Sequence, residues 1–257
     1  MTTTLEFPDL LRLIDERSAA FCEVIASAPS LDVQVPTCPE WTLADLAQHM
    51  GQGRLRWAAT VQAGPADARP AAATEAGATE APHDRKALVA WLADSTQQLL
   101  DRLREAGPDR GCWTWWGDSQ SPETSGAVAR HQLQEVAVHT YDAQLTVGAA
   151  EPLPVDVAHD GVDEFLSTCC ATTIPWPFEP AIIDYHVSEG GSWRLWLSGD
   201  GVRVGSIAEA HGEADVSATA SAAEFVLILY GRKPIDSFTF TGDRKPLDRI
   251  AAWDPDA

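Results

Sequence analysis

Apolar residues recur at intervals of three and four positions near the start of the chain, with polar residues between them. Over residues 6–28 this spacing places the apolar side chains on one face of a helix, which predicts an amphipathic helix. The residues that mark this face are Leu10, Leu13, Ile14, Phe21, Val24 and Ile25.

Three further helices are predicted, at about residues 42–64, 84–106 and 124–148. The first of these follows the stretch "VPTCPEW", and Thr42 with Asp45 three positions later has the spacing of a capping box. The connector "GPADARPAAATEAGATEAPHD" predicts a mobile surface loop, because it is rich in Ala, Pro and Gly. Four helices of similar length predict a four-helix bundle, a fold in which facing helices often supply the ligands of a metal site.

The pattern changes after "GAAEPLPVD". A helix is predicted near residues 156–171, and "SWRLWLS" and "GVRVGSI" then alternate like two strands joined by a tight turn. "ADVSATAS" and "SFTFTGD" are predicted as further strands, "AAEFVLILYG" as a buried helix and "PLDRIAAW" as a last helix. The predicted fold class is therefore α+β, with a four-helix bundle over residues 1–150 and a smaller α+β domain over residues 155–257.

Composition and charge narrow the range of partners. The 257 residues include 38 acidic and 18 basic ones, and the formal net charge is −20. Such a chain repels phosphate backbones and anionic membranes, so we expect neither a nucleic-acid nor a membrane partner. We see no signal peptide and no apolar run approaching the ~18 residues that a membrane span needs, so a cytoplasmic location is expected. Five scattered cysteines, an odd number, favour reduced thiols over a disulfide framework.

The stretch "RHQLQEVAVHTYDAQ", residues 130–144, carries the strongest candidate chemistry. Glu135 and His139 lie four positions apart in a predicted helix, so their side chains project from the same side. His49, in "ADLAQHMG" on the second predicted helix, can supply a third ligand. Two imidazoles and one carboxylate suit zinc or a similar divalent ion, and three protein ligands leave one position open for chemistry.

Other interpretations stay open on the residues alone. A Glu and a His four positions apart often occur by chance, and a lone His on an apolar helix is commonly a hydrogen-bonded core residue. His131 is a rival ligand, and Asp142 is close enough to His139 to orient its ring. Asp45 can orient His49 or cap its own helix. Apolar residues also surround most of the fourth helix, so periodicity does not fix the direction of Glu135.

Two segments resemble the mycothiol-dependent maleylpyruvate isomerase family. "CPEWTLADLAQHMG" is similar to a family block that ends in a metal-ligating His, which implies His49 as a ligand. "EVAVHTYDAQLTVG" is similar to a second block, which implies Glu135 and His139 as ligands, followed by Tyr141 and Asp142. "SATASAAEFVLILYGRKP" and "FTFTGDRKPLDRI" resemble the family's C-terminal domain. Over nearly the whole chain, this resemblance implies a DinB-like four-helix bundle followed by a smaller, sterol-carrier-like α+β domain.

The resemblance implies an enzyme that depends on mycothiol and on a divalent metal, zinc before other ions. A metal-bound thiol loses its proton near neutral pH, and the thiolate attacks a small electrophile. The thiolate then either leaves after rotation about the new single bond, which is cis–trans isomerisation, or stays attached, which is S-transfer. The resemblance also implies that Arg232, in "LYGRKP", binds an anionic substrate group or the thiol, with Tyr141 as a further cofactor contact. The alternative for Arg232 is a helix-end arginine that stabilises the helix dipole.

Some positions depart from the family pattern. Gln134 stands where the family commonly has His, Tyr141 stands where it tends to have Trp, and the Trp-rich loop 112–116 has no counterpart that we can match. These positions lie near enough to the metal-binding helix to change the substrate pocket, so the resemblance implies the metal ligands but does not fix maleylpyruvate as the substrate. We expect Trp41 to pack against the start of the second helix. The tryptophans of the 112–116 loop are expected either to line the mouth of a pocket or to plug the loop by packing inside it.

Three rival functions remain at this point. The thiol can be another low-molecular-weight thiol, because nothing in the residues recognises mycothiol directly. The protein can instead be a metal-binding regulatory module of the zinc-associated anti-sigma type, which sequesters another protein. The bundle can also bind a small molecule without turnover. Only a thiol-dependent enzyme is expected to lose its activity when thiol is absent, because a sequestering protein binds its partner with or without thiol.

Overall fold

The computed structural model describes residues 5–209 and 212–255. The chain divides into two compact units. The bundle unit comprises Leu5–Trp115 and Glu123–Leu153, and the sheet unit comprises Trp116–Pro122 together with the described residues from Pro154 onward.

Four long helices form the bundle unit and confirm the predicted fold. They are α1 (Phe7–Ser27), α2 (Leu43–Ala63), α4 (Arg85–Ala106) and α5 (Ser125–Thr146), with the short α3 (Ala71–Ala76) in the connector between α2 and α4. Helix α1 packs against α4 and α5, and α2 packs against the same two helices, so α2 and α5 lie side by side. The connector was predicted as a loop throughout, and α3 is a correction to that prediction.

The predicted start of α2 is confirmed in detail. The Thr42 side chain accepts a hydrogen bond from the Asp45 backbone N–H, and the Asp45 carboxylate accepts from the Thr42 backbone N–H at 2.8 Å. This reciprocal pair is a capping box, which satisfies backbone donors that a helix start leaves without partners. Thr42 is therefore the N-cap residue of α2, and Asp45 completes the cap from the third helical position.

Helix α5 is buried around nearly its whole circumference. Val128, Leu133, Val136, Ala137 and Val138 are all 2% exposed or less. This burial explains why the apolar residues of α5 showed no single face in the sequence. A helix that is hydrophobic all round belongs to the centre of its fold.

A short antiparallel hairpin, which the sequence did not predict, precedes α2. Strand β1 (Gln34–Val35) pairs with β2 (Cys38–Thr42) across the turn that holds Pro36 and Thr37. From the sequence, this stretch was expected only to separate the first two helices, because it contains two prolines. In the structure the hairpin lies against α5 and carries Thr37, Cys38 and Trp41 toward that helix.

The sheet unit is built on a five-stranded sheet with the order β5-β4-β3-β6-β7. The strands are β3 (Ala181–Val187), β4 (Ser192–Ser198), β5 (Gly201–Ser206), β6 (Val216–Ala220) and β7 (Thr239–Gly242), and only the β3–β6 pair is parallel. Helices α6 (Val155–Phe165), α7 (Ala222–Leu229) and α8 (Lys245–Ala252) complete it, and a π-helical turn, Leu166–Cys170, extends α6. This arrangement confirms the α+β class.

Strand β3 was missing from the sequence prediction. Its residues do not alternate cleanly between buried and exposed positions. The paired residues Asp184 and Arg194 help to hold β3 against β4, because the guanidinium donates to both carboxylate oxygens at 2.6 and 2.7 Å.

Among the residues that the structure describes, none of the helices has the length and apolar character that a membrane span requires.

Candidate metal centre

His49, Glu135 and His139 converge in the bundle unit. His49 lies on α2, and the other two lie one turn apart on the neighbouring α5. The Glu135 Oε2 atom is 3.6 Å from His49 Nε2 and 3.9 Å from His139 Nε2. The three candidate ligand atoms all lie within 4.8 Å of one another. The structure therefore brings together the three residues predicted as ligands, which we call the donor cluster.

Asp142 holds the ring of His139 in place. The His139 Nδ1 atom is 2.9 Å from the Asp142 carboxylate, and the other oxygen of that carboxylate accepts a hydrogen bond from the Thr37 hydroxyl at 2.7 Å. A carboxylate partner favours the imidazole tautomer with its proton on Nδ1. The Nε2 atom, which faces Glu135, is then the one with a lone pair for a ligand.

The pKa of Glu135 is lowered by its surroundings, which favours the ionised carboxylate. Burial by itself raises the pKa of this group, but the nearby imidazoles of His49, His139 and His131 have a larger combined effect and hold the pKa well below its ordinary value. The side chain of Glu135 is 27% exposed and that of His49 36%, whereas that of His139 is 9% exposed. The donor cluster is thus closed on the His139 side and open on the side of the other two residues.

His131 and Asp142, two neighbours of the predicted ligands, have other partners in the structure. His131 packs edge-on against Trp57 and Trp115, with ring centroids 6.4 and 5.7 Å away, and it is not a member of the donor cluster. A second group of possible ligands, Cys38, His139 and Asp142, also lies within ligand distance. Asp142 already binds His139 Nδ1 and Thr37, so it is better suited to orient the ring than to hold an ion.

Trp41 lies against the donor cluster. Its ring centroid is 4.7 Å from that of His49 and 6.1 Å from that of His139. The prediction that Trp41 packs against the start of α2 is therefore incomplete, because its ring also covers one side of both imidazoles.

A pocket of about 170 Å³ opens directly beside the donor cluster. His49 and Glu135 form part of its wall, and we call it the site pocket. Its other lining residues are Met50, Gly53, Arg56, Trp57, Thr60, Arg69, Trp113, Trp115, His131 and Gln132. Trp113 and Trp115 thus line a pocket, one of the two roles foreseen for the loop, whereas Trp116 is buried in the sheet unit.

Sequence reasoning missed the part that α2 plays in this pocket. His49, Gly53, Arg56, Trp57 and Thr60 recur at helical spacing on the pocket side of α2. That spacing was visible in the sequence as a mixed polar and aromatic face that starts from His49. The contribution of Arg69 depends on how the connector folds and left no such signal.

Tyr141 and Arg232 were also predicted as site residues. Tyr141 is a partly exposed residue of α5 and does not line the site pocket. Arg232 belongs to the sheet unit, in the turn after α7, where its guanidinium donates to the Tyr230 carbonyl at 2.7 Å. This bond is the one expected of an arginine at a helix end. A cofactor role for either residue stays a prediction.

The sheet unit has a larger cavity, of about 470 Å³, between apolar side chains of β3, α7 and α8. Cys169 and Cys170 line it, but neither belongs to a group of possible metal ligands among the described residues. Burial, with a smaller contribution from Glu164, raises the pKa of Cys170 to about 12, so this thiol stays protonated at neutral pH. The site pocket is therefore the better candidate for chemistry.

The separations from Glu135 allow this carboxylate to share a divalent ion with either imidazole. Two ligands bound to one ion at about 2.0–2.2 Å cannot be more than about 4.4 Å apart. Both separations from Glu135, 3.6 and 3.9 Å, satisfy this limit before any adjustment. The donor chemistry, the oriented His139 ring and the open side toward the site pocket agree with a three-ligand centre.

The fold and the site together define a class of proteins. Its members have a four-helix bundle that carries the donor cluster on neighbouring helices, followed by a small α+β unit. Residues 11–144 match the family model described as the mycothiol maleylpyruvate isomerase N-terminal domain. Residues 156–249 match the model of the C-terminal domain of the same family. The chain belongs to the mycothiol maleylpyruvate isomerase family, as its sequence motifs predicted.

Solved structures agree on the fold. A crystal structure of the mycothiol-dependent maleylpyruvate isomerase has a TM-score of 0.60 to this chain at 14% sequence identity. A histidine-to-alanine mutant of that enzyme has a TM-score of 0.62 at 15% identity. Both alignments cover 93% of this chain and 95% of the other. No curated protein matches the sequence.

Proposed function

We propose that this protein is a divalent-metal- and mycothiol-dependent enzyme that activates a thiol for attack on a small electrophile. The observation that carries the proposal is the convergence of His49, Glu135 and His139 beside an open pocket. Membership of the mycothiol maleylpyruvate isomerase family supports both the thiol and the isomerase class. The favoured reaction is cis–trans isomerisation of a maleylpyruvate-type substrate, and S-transfer is the alternative.

His49, Glu135 and His139 would hold the ion, for which zinc is the first candidate because two imidazoles and one carboxylate suit it. When bound, such an ion lowers the pKa of a coordinated thiol and makes thiolate available near neutral pH. Asp142 fixes the orientation of His139, and Trp41 covers one side of both imidazoles. His49 and Glu135 line the site pocket, so thiol and electrophile would reach the bound ion from that pocket.

Residues outside the donor cluster have proposed roles as well. Arg232 remains a candidate for binding an anionic substrate group, because a guanidinium holds a carboxylate in a fork geometry. Tyr141 remains a candidate contact for the thiol.

The test is turnover of maleylpyruvate by zinc-loaded protein with and without mycothiol. An isomerase converts the cis compound to the trans compound and returns the thiol, whereas a transferase consumes one thiol for each product. Activity that requires thiol and disappears in His49→Ala would support the enzyme. Metal binding without thiol-dependent turnover of either kind would reject it and favour a regulatory metal-binding module.

A further inference from the structure

Two arginines line the site pocket together with His49 and Glu135 of the donor cluster. Arg56 lies on α2 and is half-buried, and Arg69 lies in the connector and is exposed. Neither guanidinium forms an ion pair or hydrogen bond within the part of the chain that the structure describes. Acidic residues outnumber basic ones by 38 to 18, so most surroundings in this protein offer a carboxylate to an arginine. The one carboxylate in the pocket lining, Glu135, belongs to the donor cluster, so two guanidinium groups with no carboxylate partner indicate a site for an anion.

The rest of the pocket wall is mainly aromatic. The Trp57 and His131 ring centroids are 6.4 Å apart, and His131 is 5.7 Å from Trp115. Arg69 lies over Trp113, with its guanidinium carbon 5.0 Å from the ring centroid, a distance typical of a cation–π contact. Flat rings favour a flat ligand. The volume of about 170 Å³ is close to that of a cavity of ~150 Å³ known to accommodate benzene.

The positions along α2 set the length of the ligand. Arg56 follows His49 by seven residues, which corresponds to about 10 Å along a helix axis. Gly53 lies between them, and a Cβ atom built there has no neighbour within 4 Å, so the wall is open at this point. A flat molecule lying along α2 can therefore place one end at the donor cluster and the other near the guanidinium groups.

We propose that Arg56 and Arg69 determine substrate specificity by binding the carboxylate of a planar, conjugated electrophile. The reactive carbon of this electrophile faces the donor cluster, and this part of the inference rests on the proposed function. A guanidinium recognises a carboxylate through paired, charge-assisted hydrogen bonds. The carboxylate belongs to the electrophile and not to the thiol, because the aromatic walls of the pocket fit a flat conjugated group.

The first test compares trans-cinnamate with cinnamamide, which has the same flat frame without the charge. Titration calorimetry with the zinc-loaded full-length protein measures both dissociation constants. The wild type is expected to bind cinnamate at least about tenfold more tightly than cinnamamide, since charge-assisted hydrogen bonds have this magnitude. Arg56→Gln and Arg69→Gln should each abolish most of this preference and leave cinnamamide binding unchanged. Arg12→Gln, which changes an exposed arginine of α1 paired with Asp9 and Glu16, is the matched control.

Equal binding of the two compounds by the wild type, or an unchanged preference in both arginine variants, would overturn the inference. Arg69 is exposed, so Arg69→Gln keeps the test decisive if Arg56→Gln fails to fold. A wild type that prefers cinnamate but shows no thiol-dependent turnover would reject the proposed function and leave the anion site standing.

Kinetics identify which reactant carries the carboxylate. If the wild type turns over a maleylpyruvate-type substrate, the arginine variants should raise the KM for that electrophile about tenfold or more. The KM for mycothiol and kcat should change little. A rise confined to the KM for the thiol would overturn the assignment of the carboxylate to the electrophile.

Discussion

The carboxylate of Asp142 lies 2.9 Å from Nδ1 of His139, one turn further along α5. This bond joins a buried acid to a residue of the donor cluster and turns Nε2 of the same ring toward Glu135. The Thr37 hydroxyl, on the hairpin before α2, donates to the other oxygen of the carboxylate at 2.7 Å. The orientation of the His139 ring is therefore set partly by a segment about a hundred residues earlier in the chain.

Asp142→Asn should weaken metal binding without removing it. The amide can still accept from Thr37, but it no longer provides the negative charge that favours a proton on His139 Nδ1. Loss of such a supporting partner typically costs 10- to 100-fold in metal affinity. The zinc dissociation constant, measured by competition with a chromogenic chelator, checks this, and Asp163→Asn in the sheet unit is the control. An affinity equal to that of the wild type would show that Asp142 does not orient the ligand.

Two glycines of α2 should respond in opposite ways to the same substitution. A Cβ at Gly51 would overlap the ring of Trp91 on α4, whereas a Cβ at Gly53 meets no atom within 4 Å. Gly53→Ala should raise the free energy of unfolding by about 1 kcal/mol, because Ala is the better helix former. Gly51→Ala should lower it by about 1–3 kcal/mol through overpacking. Urea denaturation measures both, and equal effects of the two substitutions would contradict the packing of α2 against α4.

The capping box of α2 should make stability depend on pH. Side-chain and backbone hydrogen bonds with Thr42 lower the pKa of Asp45 below its ordinary value. The ionised carboxylate therefore stabilises the folded state above the ordinary aspartate pKa of about 3.9, and this contribution disappears as the pH falls through the lower folded-state pKa. Asp45→Asn should cost about 0.3–1 kcal/mol at pH 7 and almost nothing in strong acid. A difference that is the same at pH 7 and pH 3 would exclude an electrostatic cap.

The parts of the fold that local patterns specify were predictable from the sequence. The four bundle helices have strong periodicity or clear caps, and Thr42 with Asp45 marked the start of α2. The direction of Glu135 was not predictable, because α5 is buried on nearly all sides and its periodicity carries no orientation. The residue types suggested grouping His49 with Glu135 and His139, with His131 as a rival ligand. Resemblance to the family then implied the same three ligands, a choice that local periodicity alone cannot make.

Features that depend on tertiary packing were not predicted from the sequence. The β1–β2 hairpin contains prolines and forms a short, irregular ladder, so its sequence looks like a break. Strand β3 lacks clean alternation. The site pocket combines one face of α2 with Arg69 and the tryptophans of the 112–116 loop, and only the folded bundle brings these segments together.

The donor cluster is proposed to bind a metal ion that the chemistry requires. Elemental analysis of the purified wild type should find one divalent ion per chain, and mycothiol binding measured by calorimetry should vanish after chelation. His49→Ala and His139→Ala should each lose the ion while the bundle stays folded, whereas His83→Ala, in the connector, should keep it. Unchanged metal content in both cluster variants, or a wild type with neither metal nor thiol binding, would contradict the account.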